Sequence, residues 1–96
     1  MNVIGREKLK KFMKKNTQSR TVLPTWEQLV MASNWHTFHQ LKATFPGADL
    51  AKGFVVFDVR GDKYRVVAEV NYSSQQVLIR HVFNHAEYNT WCATIR

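Results

Sequence analysis

Between positions 77 and 88 the chain reads Val77-Leu78-Ile79-Arg80-His81-Val82-Phe83-Asn84-His85-Ala86-Glu87-Tyr88. An apolar strand that delivers an arginine and an imidazole, followed by a second imidazole and a phenol, carries the groups that phosphate chemistry on RNA requires. A guanidinium holds a phosphate, an imidazole exchanges a proton near neutral pH, and an aromatic ring stacks on a base. His85 and Tyr88 are three positions apart, so a helix beginning after the strand puts both on one face near the strand exit.

A second guanidinium lies upstream, in Tyr64-Arg65-Val66-Val67-Ala68-Glu69-Val70-Asn71. The two-residue strand period places Tyr64, Val66, Ala68 and Val70 on one face and Arg65, Val67, Glu69 and Asn71 on the other. If Arg80 projects from a neighbouring strand onto the face of Arg65, two guanidinium forks converge, a match for the oxygens of one phosphodiester. The plainer alternative makes Arg65 and Arg80 surface residues paired with Glu69 and Asp58, with Tyr88 packed under the sheet and His85 flanking a helix. His81 reads as a wall of the site. His36 with His39, or His81 with His85, lacks the carboxylate or thiolate partners of a zinc shell, so neither a metal nor another cofactor is expected. Cys92, beside Trp91 and Ala93, reads as a buried inert thiol.

The elements that must position these groups follow from local patterns. Met1 to Ile4 suits an edge strand, and Leu9, Phe12 and Met13 recur at helical spacing among lysines, as in an amphipathic basic helix. Pro24 suits the first turn of a second helix with Trp26, Leu29, Val30 and Ser33 along one side. Asn34 to Leu50 reads as an irregular connector in which Thr37 caps a short turn carrying Phe38 and Leu41, and Phe45-Pro46-Gly47 breaks any helix. Phe54–Phe57 and Tyr64–Val70 form a hairpin across Arg60-Gly61-Asp62-Lys63, Val77–Phe83 is the next strand of a meander, and 85–96 is a closing helix. The expected fold class is therefore α+β in the order β-α-α-β-β-β-α, with helices packed on one face of an antiparallel sheet and the other face accessible.

Ninety-six residues, 45% of them hydrophobic, allow a single folded domain spanning 1–96 and exclude a disordered chain. Fourteen Lys and Arg against seven Asp and Glu leave a net charge of +7, which suits a polyanionic partner. The excess is concentrated in Arg6, Lys8, Lys10, Lys11, Lys14, Lys15 and Arg20, opposed in that stretch only by Glu7. No window approaches the eighteen apolar residues of a membrane span, no signal-peptide pattern opens the chain, and a lone cysteine permits no internal disulfide, so a soluble cytoplasmic protein is expected.

Three segments carry a family resemblance: Leu41-Lys42-Ala43-Thr44-Phe45-Pro46-Gly47-Ala48-Asp49, then 57–68 from Phe57-Asp58-Val59 to Val66-Val67-Ala68, then Ile79-Arg80-His81-Val82-Phe83-Asn84-His85-Ala86-Glu87-Tyr88. In content, order and spacing the chain resembles the HigB family of type II toxins, within the RelE-like superfamily of bacterial mRNA interferases. The resemblance implies a small RelE-like fold and a metal-independent endoribonuclease that cuts mRNA, usually on the translating ribosome. It also implies neutralisation by a HigA-type antitoxin bearing a helix-turn-helix. By motif position it implies that Arg65, Arg80, His85 and Tyr88 are catalytic, the last two as a His-x-x-Tyr pair. Lys8, Lys11 and Lys15 of the basic helix, with Lys63 and His81, are the expected RNA contacts. The chain departs from the family pattern at Asn89, commonly aspartate, and at Ala86, commonly basic, while Asp62 replaces a common asparagine in the turn. The alternatives are a non-catalytic RNA- or DNA-binding module, or a degenerate toxin that acts only through protein interaction.

Overall fold

The computed structural model describes residues 1–61 and 63–94. Strand β1 (Asn2–Ile4) leads into helix α1 (Arg6–Lys15), a 3-10 turn over Thr17–Thr21, helix α2 (Leu23–Met31) and helix α3 (Phe38–Thr44). Strands β2 (Asp49–Ala51), β3 (Phe54–Val59), β4 (Tyr64–Asn71) and β5 (Gln76–Asn84) follow, and helix α4 (His85–Thr94) closes the fold. One five-stranded sheet has the order β1-β5-β4-β3-β2, antiparallel throughout except that β1 runs parallel to β5 at the edge.

The α+β class and the β3-β4-β5 meander agree with the expectation from sequence. Two further elements complete the order. Thr37 does cap a helix, accepting the Gln40 amide at 3.2 Å, and the segment extends through Thr44 as α3. The short strand β2 then pairs with β3 where only a connector was expected.

One sheet face is sealed by α1, α2 and α3. Val55, Phe57, Val59, Tyr64, Val66, Ala68, Val77 and Ile79 point into this core and meet Leu9, Leu23, Trp26, Val30, Trp35 and Leu41. Phe57 is its centre, with the rings of Trp26, Trp35 and Phe45 at 5.2, 6.4 and 5.3 Å. Tyr64 fastens α1 to the sheet, because its ring meets Phe12 edge-on at 5.8 Å and its hydroxyl donates to Asn16 Oδ1 at 3.1 Å. Leu29, expected on the inner side of α2, is 48% exposed. Gly5 makes the turn from β1 into α1 with φ at 87°, lying so close to β5 that a Cβ there would come within 2.9 Å of the Ile79 carbonyl oxygen.

The expectation that all helices share one face fails for α4. Val56 and Val67 point away from the core yet are fully buried, because α4 crosses the opposite face and sets Trp91 near Phe54, His81 and Phe83 at 6.2, 5.8 and 5.9 Å. The chain leaves β5 on that side, since a helix-initiating box sits directly at the strand end. The Asn84 side chain accepts the Glu87 amide at 2.8 Å while the Glu87 carboxylate accepts the Asn84 amide at 2.9 Å. Lys52, in the β2–β3 turn, holds the far end of the helix by donating to the Trp91 and Cys92 carbonyls at 3.1 Å each.

Candidate active site on the α4 face of the sheet

The Asn84–Glu87 box puts His85 in the first position of α4 and Tyr88 one turn later. Tyr88 lies over Arg65, whose guanidinium carbon is 4.8 Å from the ring centroid, a cation–π contact. Arg65 is held from the other side by its cross-strand partner Asp58 in an ion pair with both side chains mostly buried. The guanidinium is therefore clamped between carboxylate and ring, with Nε buried and lacking an acceptor among the described residues. His85 Nε2 lies 3.2 Å from the Asn89 side-chain amide, one helical turn on.

Tyr88 has its pKa pushed up to about 12, first by burial and then by its hydrogen bond to Cys92, against a smaller opposing effect of Arg65. The ring consequently remains a phenol at neutral pH, able to donate a proton or a hydrogen bond. Cys92 is half-buried rather than sealed, and its place is beside this phenol.

Arg80 occupies a separate part of the same face because of a β-bulge. Val67 pairs with His81 and Ala68 with Ile79, so Arg80 is the extra residue of β5. The bulge breaks the two-residue alternation. Val77 and Ile79 face the core, whereas His81 and Phe83, odd-numbered like them, face α4 with their rings 5.1 Å apart and 12° from parallel. Arg80 pairs with Glu69 at 3.4 Å, both about half exposed. Beyond the end of β1, where β5 has no strand beside it, Lys8, Lys11 and Lys15 of α1 join Arg80, His81, Phe83 and Glu87 around a groove of about 250 Å³. Burial, reinforced by Lys8 and Arg80, holds the His81 imidazole below its ordinary pKa.

The predicted residues thus form two adjoining groups. Arg65 and Tyr88 meet beneath α4, with His85 at the first position of the same helix, and Lys8, Lys11, Lys15, Arg80 and His81 line the groove. The two arginines bind different carboxylates instead of converging, Arg65 taking Asp58 and Arg80 taking Glu69. Lys63 stands apart from the groove lining, donating to Gln18 Oε1 at 2.6 Å and lying over Tyr64. Sequence reasoning missed Phe83 and Trp91 as site residues, since their orientation depends on the bulge and on the side that α4 takes. The Asn84-x-x-Glu87 box was a readable signal for the helix start. Among the described residues no three His, Cys, Asp or Glu side chains gather as a metal-holding group.

Comparison with known proteins places this chain in a family. A family model described as the HigB toxin, the RelE-like toxic component of a toxin–antitoxin system, matches residues 19–91, a span that contains Arg65, Arg80, His85 and Tyr88. The mRNA interferase toxin HigB of Escherichia coli K12 is 34% identical over 99 aligned positions, covering 100% of this chain and 95% of the relative. The mRNA interferase HigB of Shigella flexneri shows the same identity and coverage, and that of Escherichia coli O6:H1 is 25% identical over 92 positions, covering 93% and 89%. With a family match over most of its length and a relative 34% identical across all of it, the chain belongs to the HigB family of RelE-like toxins from toxin–antitoxin systems.

Proposed function

We propose that this protein is an mRNA interferase that cuts RNA with the RNA's own 2′-hydroxyl as nucleophile, and that the α4 face of the sheet is its active site. The observation that carries this reading is the clamped Arg65 beneath Tyr88, with His85 one turn earlier on the same helix, beside a groove lined by Arg80 and three lysines. The names of the relatives support the same activity.

In the reaction, the 2′-oxygen bonds to the adjacent phosphorus as its proton leaves, and the bond from phosphorus to the 5′-oxygen breaks. The products are a 2′,3′-cyclic phosphate and a 5′-hydroxyl. A base, a charge clamp and an acid suffice. His85 takes the 2′-proton. Tyr88, which holds its proton to about pH 12, donates to the departing 5′-oxygen or to a phosphoryl oxygen. Arg65 steadies Tyr88 and adds positive charge against the phosphorane, while Arg80 and Lys8, Lys11 and Lys15 hold the flanking backbone. By extension from the family, the mRNA is cut on the translating ribosome in the cytoplasm, with ribosomal RNA against the lysines of α1, and a HigA-type helix-turn-helix antitoxin neutralises the enzyme.

Primer extension on a reporter mRNA in a purified translation system, with and without ribosomes, tests the reading. Wild type cuts within codons when ribosomes are present, and His85→Ala and Arg80→Ala lose at least about a hundredfold while keeping the wild-type circular dichroism. Full activity in His85→Ala would remove the proposed base, and no cleavage by folded wild type in any lane would leave a binding module.

A further inference from the structure

The bulge at Arg80 spends a backbone irregularity to turn two rings outward. Without it, the alternation that buries Val77 and Ile79 would bury His81 and Phe83 as well. With it, they stand on the α4 face in nearly parallel contact, backed by Trp91, whose ring is 5.8 Å from the first and 5.9 Å from the second. A pair serving only to seat α4 would need no exposed imidazole, yet His81 is exposed and lines the groove. Phe83 stacks against the imidazole in an offset, nearly parallel contact, and the imidazole is exposed where it borders the groove. The cations around it are Lys8, Lys11, Lys15 and Arg80, and Glu87, the acid of the groove, is turned back onto the helix start. A flat aromatic step beside a row of cations is the arrangement that holds single-stranded nucleic acid, with bases on rings and phosphates on the charges.

We infer that His81, backed by Phe83 and Trp91, is a stacking step for one unpaired nucleobase of the RNA, the lysines of α1 holding the phosphates beside it. The step reads a base by its face, so it selects for an unstacked nucleotide at a fixed distance from the cut more than for a particular base. This inference rests on the proposed reading of the site as an RNA-cutting centre and adds a binding position to it.

The probe is a labelled 2′-O-methyl RNA hexamer, which cannot be cut because its 2′-hydroxyls are blocked, together with versions carrying one abasic residue at each position in turn. Binding to the full chain at low salt is followed by fluorescence anisotropy. One abasic position weakens binding to wild type roughly five- to a hundredfold. His81→Ala binds the intact hexamer that much more weakly, and the abasic change at that position then costs it nothing further. His81→Phe, which keeps a flat ring, restores both the affinity and the abasic penalty, as a merely structural role would not. Lys11→Ala instead weakens every probe alike and lowers the salt dependence.

Equal abasic penalties in wild type and His81→Ala at every position, or His81→Phe behaving like His81→Ala, would overturn the proposal. So would absence of binding by any hexamer, which would give the step to a protein partner. The assay reads no cleavage. A protein that cuts mRNA but shows no stacking at His81 refutes this inference alone, and one that shows it but never cuts refutes the enzymatic reading alone.

Discussion

On one face of the sheet Phe57 is fully buried among Trp26, Trp35 and Phe45, and the strand residues beside it meet three helices. On the other face a single helix, none of whose residues is fully buried, rests on half-buried rings and cations. The first face carries apolar surface whose burial drives folding. The second keeps charged and aromatic groups partly open, which costs stability but leaves them able to meet a ligand. The contrast separates fold from chemistry, so changes on the two faces have different readouts.

The largest effect belongs to the core. Phe57→Ala removes the ring at the centre of the aromatic cluster and costs about 3–5 kcal/mol in denaturant unfolding. A loss under about 1 kcal/mol would show that the two faces are not built differently. Across the sheet, Asp58→Asn takes the charge from the carboxylate that holds Arg65 under Tyr88. Cleavage then falls by roughly ten- to a hundredfold, mainly in kcat, with a smaller loss of stability than Phe57→Ala. Equal damage to folding and rate would merge the two faces into one structural unit.

Tyr88 sharpens the contrast through pH. Its phenol is pushed up to about 12, chiefly by burial, so the fold favours the protonated form. The stability this contributes is complete below the ordinary tyrosine value near 10 and is lost as pH rises from there toward 12. Ultraviolet titration of wild type minus Tyr88→Phe should show one phenol ionising near that upper value, and the cleavage profile between pH 6 and 9 should contain no Tyr88 limb. A difference spectrum centred near 10 would contradict the burial argument.

Lys52→Ala should have the smallest effect. It frees the last carbonyls of α4 and removes the ammonium from over Trp91, where it sits 4.8 Å from the ring centroid. The cost is about 0.3–1 kcal/mol, read as faster amide exchange in α4 with the core strands unchanged. Uniformly faster exchange in β3 and β4 would mean that α4 and the core open together.

What the chain's local order determined is considerable. The basic amphipathic α1, the proline-started α2, the Thr37 cap and the β3–β4 hairpin are legible because their periods and caps are set by neighbours a few residues away. The chemical inventory was legible too, from Arg65 and Arg80 to the His85-x-x-Tyr88 spacing and the lysines of α1.

Tertiary structure decided which of those groups meet. The side of the sheet taken by α4, the parallel seat of β1 against β5 and the separate carboxylates of Arg65 and Arg80 all depend on contacts between residues far apart in sequence. The bulge at Arg80 has the same origin. Strand alternation by itself would bury His81 and Phe83, and only the pairing of β5 with β4 turns them toward the groove.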